Sequence, residues 1–276
     1  MSYDIIETSV YSGEPIELYT FTRGALVWRY TSTDQDISIG GNTYTSVIID
    51  RDKLTQSQDP GKNSINLQCT YDLPFLEQYF DSPPSDTIIL TIQRYHLTDV
   101  AEEIVTIWKG RVINVNFRTD EAEISCEPLF TAMKRPALRR FYQKLCPHTL
   151  YGPWCGLAKA TYLTTATLTG LSADGLVLTS SSFTGAGKPD GFFTGGTVEF
   201  LNGTVLDKRF ILNHVGTNIT INIAINDLVN GDSVDAYPGC DHTLPTCVIK
   251  FTNEENYGGQ PYRPNDKNPM GGTPVF

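Results

Sequence analysis

Two short stretches, Leu145–Gly156 (LCPHTLYGPWCG) and Gly239–Cys247 (GCDHTLPTC), stand out in this 276-residue chain. Each stretch holds two cysteines, and each contains the pattern Cys-x-His-Thr-Leu. Eight residues separate the cysteines of the first pair, and six separate those of the second. The sequence between the pairs is patterned as β-strands, so a β-module can bring its two ends together. We therefore expect the fold to gather four thiols at one point, those of Cys146, Cys155, Cys240 and Cys247.

Three kinds of chemistry suit four cysteines in this arrangement. Two disulfides, Cys146–Cys155 and Cys240–Cys247, are chemically possible but need an oxidising compartment. A four-cysteine zinc site is a second possibility, although structural zinc sites usually have about two to four residues between paired ligands. An iron–sulfur cluster is wider than a single ion, binds four thiolates and tolerates longer loops between its ligands. Spacing alone favours the cluster slightly over zinc.

Two histidines and two further cysteines complete the set of candidate residues. His148 and His242 each follow a cysteine by two residues. They could replace a cysteine as ligand or donate hydrogen bonds to sulfur; alternatively, each only caps a loop turn. Cys69 and Cys126 fall on the apolar faces of alternating strands. A buried free cysteine behaves as a small hydrophobic residue, so we expect both in a core.

Strand patterns dominate on both sides of the first cysteine pair. Runs of β-branched and aromatic residues alternate with Gly- and Asn-containing turns. The predicted fold class is mainly β: a tube-like β-barrel or sandwich, then a second small β-barrel, with a few short helices. The predicted division is an N-terminal β-domain (1–127), a helical connector with the first cysteine pair (128–159), a second β-domain (160–238), and the second cysteine pair with an extended tail (239–276).

Three local predictions can be checked directly. Alternation over Ser64–Tyr71 places Ile65, Leu67, Cys69 and Tyr71 on one strand face. A short helix capped by Asp72 is expected next, because Phe75, Leu76, Tyr79 and Phe80 have helical spacing. Pro128–Leu145 is expected to form a helix broken at Pro136. That segment carries a basic run that is either a solvated face or a contact with an acidic neighbour or charged cofactor: Lys134, Arg135, Arg139, Arg140 and Lys144.

The composition argues against several functions. The formal net charge is −10, whereas duplex binding relies on Lys and Arg that displace counterions. An acidic surface could instead keep DNA from sticking.

No stretch approaches the ~20 apolar residues of a membrane helix. Met1–Glu7 shows no secretory signal, so we expect synthesis in a reducing cytoplasm. Phosphate-loop, His-Glu-x-x-His and nucleophile-elbow motifs are missing, so we expect no catalysis.

Four further motifs, in order along the chain, carry a family likeness. They are Gly41–Tyr44 (GNTY), Trp108–Val112 (WKGRV), Asp190–Gly196 (DGFFTGG) and Asn256–Gly259 (NYGG). Together with the cysteine pairs, they make the chain resemble the tail-tip (baseplate) hub family of long-tailed phages and gene transfer agents, related to lambda minor tail protein L. The likeness covers nearly the whole chain, and the paired cysteines with the Asn-Tyr-Gly-Gly tail are its most specific part.

The resemblance implies a structural virion protein of the tail tip, assembled in the host cytoplasm. It implies a homotrimer that joins the distal tail protein or tail-tube ring to central tip or fibre proteins, around a channel through which DNA passes without specific binding. It also implies a [4Fe–4S] cluster on Cys146, Cys155, Cys240 and Cys247. The chain ends at Phe276, so we expect another polypeptide to supply the extensions of larger hub proteins. The alternatives are a zinc-stabilised binding module and an iron–sulfur redox enzyme without a tail role.

Overall fold

The computed structural model describes residues 3–9, 11, 13–55, 58–59, 62–99, 101–134, 136 and 140–262. The prediction of a mainly β chain is confirmed: two sheets account for most of the regular structure, and the helices are few and short. The chain divides into two compact units, Met1–Arg135 with Asn202–Val205 and Pro136–Leu201 with Leu206–Phe276. The finer division into four segments stays a prediction. Neither α-helix in the described ranges is long and apolar enough to cross a membrane.

The first unit is built on a nine-stranded sheet in the order β3-β4-β2-β1-β7-β8-β9-β6-β5. Neighbouring strands are antiparallel except β2 and β4, which pair in parallel. Helix α1 (Tyr3–Glu7) precedes the sheet. The strands are β1 (Pro15–Arg23), β2 (Leu26–Thr31), β3 (Ile37–Ile39), β4 (Asn42–Ser46), β5 (Ile49–Arg51), β6 (Ile65–Thr70), β7 (Ile89–His96), β8 (Val105–Phe117) and β9 (Glu121–Pro128).

The core of this unit follows strand alternation where a strand exists. Ile65, Leu67 and Cys69 on β6 are buried, as their spacing predicts. The prediction for Tyr71 is wrong: β6 ends at Thr70, and the Tyr71 side chain is 52% exposed. The alternation with a period of two no longer has to hold once the strand ends.

The helix predicted after β6 is a short 3-10 turn, Leu76–Tyr79. Its cap position is Phe75, and no side chain caps it, so the capping role predicted for Asp72 is wrong. Tertiary packing explains the turn better than capping does. The Phe75 ring is fully buried and stacks on Phe21 with ring centroids 4.1 Å apart. An apolar anchor of this size is worth a few kcal/mol of burial, more than a typical cap contributes.

The segment between the units contains less helix than predicted. A 3-10 helix covers Leu129–Lys134, and residues 140–145 are not helical. Pro136 follows the helix closely, and a proline has no amide proton to continue the hydrogen-bond ladder. Of the predicted basic run, Arg135 and Arg139 lie outside the described residues. The Arg140 guanidinium lies over the Trp154 ring, 4.5 Å from its centroid.

The second unit contains a seven-stranded sheet in the order β10-β16-β13-β14-β15-β12-β11. Its buried centre is apolar and aromatic, with Phe183, Phe193 and Ile211 fully enclosed. The strands are β10 (Thr164–Thr167), β11 (Gly170–Leu171), β12 (Val177–Thr179), β13 (Thr197–Asn202), β14 (Val205–Val215), β15 (Asn218–Ile221) and β16 (Ser233–Tyr237). Strand β16 leads directly to the second cysteine pair.

Both cysteines of the second pair were expected in loops: Cys240 lies in one, whereas Cys247 lies in helix α2 (Leu244–Phe251). The Thr243 side chain caps this helix by accepting a hydrogen bond from the Thr246 amide. Pro245 lies in the first turn, where its missing amide proton costs nothing. The helix ends at Thr252, which takes the left-handed conformation. Thr243-Leu244-Pro245 is thus a helix-start signal, and the prediction from the cysteine spacing did not use it.

Candidate four-cysteine site

All four predicted cysteines line one small cavity in the second unit. The space left between the side chains is about 20 Å³, enough for roughly one water molecule. His148 and His242 also line it, with the apolar side chains of Leu150, Leu157 and Phe251. Residues that the sequence separates widely are therefore neighbours. Their role as metal ligands stays a prediction.

Backbone contacts hold the two cysteine stretches against each other. The Cys146 amide donates a 2.8 Å hydrogen bond to the His242 carbonyl oxygen. The Tyr151 hydroxyl donates to the Pro238 carbonyl oxygen at 2.9 Å. Within the first stretch, a turn closes as the Cys155 amide donates to the Gly152 carbonyl oxygen at 3.0 Å. These hydrogen bonds hold the two cysteine stretches together without a bound ligand.

Three of the four sulfur atoms face an N–H donor. The His242 amide lies 3.3 Å from Cys240 Sγ, and the Gly258 amide lies 3.5 Å from Cys146 Sγ. The Asn253 side-chain amide lies 3.7 Å from Cys155 Sγ. Such donors stabilise negative charge on sulfur, and they are a common feature around metal-bound thiolates.

Cys247 is arranged differently. Its thiol donates a hydrogen bond to the Asn253 carbonyl oxygen at 3.1 Å. Burial, and then the neighbouring Cys240, Cys146 and Cys155, raise the pKa of Cys247 to about 11. Burial also raises the pKa of Cys240. Without a cation these two thiols stay protonated at neutral pH, so only a positively charged partner would make them thiolates.

His242 contacts the site through its backbone, and His148 contacts it through its ring. His242 has a left-handed backbone (φ 64°), and its backbone N–H, not its ring, contacts the Cys240 sulfur. The His148 ring contacts the Asn256 carbonyl oxygen through Nδ1 at 3.1 Å, which assigns the proton to Nδ1. The ring also packs against Gly258, where an added Cβ would lie 2.4 Å from His148 Cε1.

The C-terminal segment, residues 252–260, completes the site, and its contribution was missed. The tail after Phe251 was expected to lie extended over a surface; its described part contains a 3-10 helix, Glu254–Asn256, and lines the cavity with Asn253, Asn256 and Tyr257, while residues 263–276 lie outside the described residues. The Tyr257 hydroxyl donates to the Lys144 carbonyl oxygen at 2.7 Å, and the Gln260 amide donates to the Gln143 carbonyl oxygen at 2.9 Å. The recurring Asn, Tyr and Gly of this segment were the available signal, because small amide and Gly residues allow close approach.

Close backbone packing explains why glycine occurs in the motif Asp190–Gly196 and at Gly239. A Cβ on Gly196 would lie 2.0 Å from the Tyr237 carbonyl oxygen, and one on Gly239 would lie 2.1 Å from the Thr194 carbonyl oxygen. The Lys250 ammonium group donates to the Phe192 carbonyl oxygen at 2.5 Å and to the Gly239 carbonyl oxygen at 2.6 Å. Burial lowers the pKa of Lys250. This close packing positions the backbone just before Cys240.

Two observations bear on the predicted chemistry. All six cysteines are free, so neither Cys146–Cys155 nor Cys240–Cys247 forms a disulfide in this structure. Across the described ranges, no three or more His, Cys, Asp or Glu side chains converge as a group that could hold a single metal ion. The four thiols thus share a cavity without forming a compact single-ion site.

A family model and a bacterial protein each match part of this chain. A family model described as phage conserved hypothetical protein BR0599 matches residues 191–267, which include the second cysteine pair. An uncharacterized protein of Xylella fastidiosa (strain 9a5c) is 31% identical over 163 residues, 55% of this chain and 34% of that protein. The chain thus spans about a third of that relative's length.

A solved structure shares the fold. It is a chain from the virion of a native gene transfer agent particle, with a TM-score of 0.81 and 20% sequence identity. The similarity covers 99% of this chain and 96% of the other. At this identity the likeness establishes the architecture only.

The widest family match covers residues 17–158, just over half of the chain, and includes the first cysteine pair. The matching model is described as the N-terminal attachment domain of a baseplate hub protein. The chain therefore belongs to the baseplate hub family, whose members are structural components of the virion tail.

Proposed function

We propose that this chain is a tail-tip hub that joins the tail tube to the central tip or fibre, acts as a homotrimer and has no catalytic activity. Membership of a family defined by an attachment domain carries the proposal. The shared fold with a chain of a gene transfer agent virion supports it. The partners are a distal tail protein or tail-tube ring on one side and tip or fibre proteins on the other.

The acidic composition supports a channel role. With 31 acidic and 21 basic residues, the chain has a net charge of −10. A negatively charged lining repels the phosphate backbone, so DNA can pass the hub without being retained. Acidic side chains found mainly on the outside of the assembled ring would contradict this part of the proposal.

We further propose that Cys146, Cys155, Cys240 and Cys247 hold a [4Fe–4S] cluster. The donor set fits this group: four thiols line one cavity, and three of their sulfurs face N–H donors. Gaps of eight and six residues between the paired cysteines are wider than those usual in structural zinc sites, which favours the cluster over one zinc ion. When bound, the cluster supplies ligation that links both cysteine stretches, so binding energy becomes folding energy.

Binding would change the conformation of Cys247 most. A coordinated thiolate has no proton, so ligation ends the hydrogen bond from Cys247 to the Asn253 carbonyl oxygen. The other three sulfurs already accept hydrogen bonds, which a thiolate keeps.

One preparation tests the cofactor. The protein is purified without oxygen, its absorption spectrum is recorded, and iron, sulfide and zinc are counted on the same sample. A broad band in the visible region with about four irons and four sulfides per chain supports the cluster. One zinc per chain and no colour would indicate a zinc-stabilised module instead. A sample without either metal would contradict the cofactor proposal.

The same sample tests the assembly. Its mass is measured in solution and again after mixing with tail-tube or distal tail protein. A mass of three copies, or ring-shaped complexes with the tube protein, supports the hub. A protein that stays a single copy in both conditions would contradict the trimer.

A further inference from the structure

Asn253 contacts one cysteine from each pair. Its side-chain Nδ2 donates to the Cys155 carbonyl oxygen at 2.7 Å and lies 3.7 Å from Cys155 Sγ. Its backbone carbonyl accepts from Cys247 Sγ at 3.1 Å, and its backbone amide donates to the Cys247 carbonyl oxygen at 3.1 Å. Only 8% of the residue is exposed. The buried amide of Asn253 therefore reaches a cysteine 98 positions away in the chain.

A second asparagine fixes the orientation of this amide. Asn256 Nδ2 donates to Asn253 Oδ1 at 2.7 Å, so the NH₂ group of Asn253 must face Cys155. The Asn256 carbonyl oxygen in turn contacts His148 Nδ1 at 3.1 Å. Turning the Asn253 amide over would place two NH₂ groups against each other and an oxygen against the Cys155 carbonyl. Burial makes such unsatisfied polar groups costly.

We propose that Asn253 is a positioning residue that holds Cys155 and Cys247 together and sets the electron density on the Cys155 sulfur. The second part rests on the proposed function of the four cysteines as cluster ligands. An N–H donor stabilises the more negative, reduced state of a cluster and so raises its reduction potential. Asn256 supports this role by keeping the N–H of Asn253 aimed at Cys155.

A purely structural role for Asn253 would have a different signature. The backbone bonds of Asn253 to Cys247 follow the end of α2, and they alone would tie the helix end to the C-terminal segment. In that case a side-chain change would lower stability and leave the reduction potential of a bound cluster unchanged.

The test uses N253D in the full chain. Aspartate has the same shape but replaces the N–H donor with an oxygen and adds a negative charge. We expect the reduction potential of the reconstituted cluster, measured spectroelectrochemically, to shift to a more negative value. The matched control is N218D, because exposed Asn218 on β15 only accepts a bond from the Thr179 hydroxyl and does not line the cavity. The same charge change there should leave the potential unchanged.

N256A covers the case in which N253D does not fold. It removes only the group that orients the Asn253 amide, so we expect a smaller shift in the same direction. Hydrogen exchange of the metal-free proteins provides a second readout: both variants should speed exchange several-fold in residues 252–258 and around Cys155. Unchanged potentials with faster exchange would overturn the proposed effect on sulfur. Unchanged exchange would overturn the positioning role.

These readouts separate the two proposals. If the wild-type chain binds neither iron nor zinc, the cofactor proposal fails, and exchange in the metal-free protein alone decides whether Asn253 positions the cysteines. If the cluster binds and only N218D changes its potential, the cofactor stands and the role of Asn253 is wrong.

Discussion

The two cysteines of the first unit and the four of the second unit show how environment decides what one residue type does. Cys69 and Cys126 lie on β6 and β9, are 3% and 1% exposed, and are surrounded by apolar side chains. Burial raises the pKa of each to about 12. The other four lie on loops and on α2, around a cavity that polar and apolar side chains line together, and three of them face N–H donors. Cys69 and Cys126 are therefore core residues, whereas the other four are the proposed ligands.

The strongest test of this contrast is C155S. We expect it to remove bound metal from the anaerobically purified protein and to lower the free energy of unfolding by roughly 5 kcal/mol, because ligand binding contributes to folding. The variant should also fail to assemble into tails. Metal content and chemical denaturation measure the first two effects. C247S should behave alike, and retention of full metal content by both variants would contradict the comparison.

The matching change in the first unit is C126S. A serine hydroxyl in that apolar site has no partner built for it, so we expect a loss of about 1–3 kcal/mol in the free energy of unfolding. Metal content per folded chain should stay at the wild-type value. A loss of metal in this variant would show that the two sets of cysteines are not independent.

G258A tests the packing of the C-terminal segment on the site. The added Cβ would lie 2.4 Å from the His148 ring, so the ring or the segment must move and the N–H contact to Cys146 weakens. We expect a cost of about 1–2 kcal/mol and slower metal uptake. G170A on β11 is the control, because its Cβ would come no closer than 3.3 Å to a neighbouring atom. Equal uptake by the two variants would count against the role of this segment.

The smallest effect concerns the ion pair between Glu17 and Arg51 in the first unit. Burial raises the pKa of Glu17, but hydrogen bonds from Arg51 and Tyr19 outweigh it, so the pKa lies below its ordinary value. A lowered folded-state pKa stabilises the fold above the ordinary carboxyl pKa, and this contribution is lost as the pH falls through the folded value.

E17Q should therefore lower the free energy of unfolding at pH 7 by about 1 kcal/mol. The difference from wild type should shrink as the pH falls from the ordinary carboxyl pKa, about 4, through the lower pKa of the folded state. Denaturation at a series of pH values measures this. A constant difference across the series would show that the carboxylate charge is not what stabilises the unit.

Local sequence patterns predicted the regular parts of the fold well. Alternation in β6 and β9 located the buried residues Cys69 and Cys126. The failures fall where tertiary contacts compete with local preference. Tyr71 leaves the core pattern where β6 ends, Phe75 anchors a 3-10 turn that lacks the expected cap, and α2 forms within a predicted loop.

The sequence by itself determined the mainly β class, the four cysteines as a set and the likeness to baseplate hub proteins, because strand periodicity, residue type and motif order are local properties. The tertiary structure alone decided which groups meet those cysteines. Asn253 and Gly258 reach the sulfur atoms of Cys155 and Cys146 only because the chain returns over itself across about a hundred residues. Such contacts depend on backbone direction and packing, which no spacing in the sequence encodes.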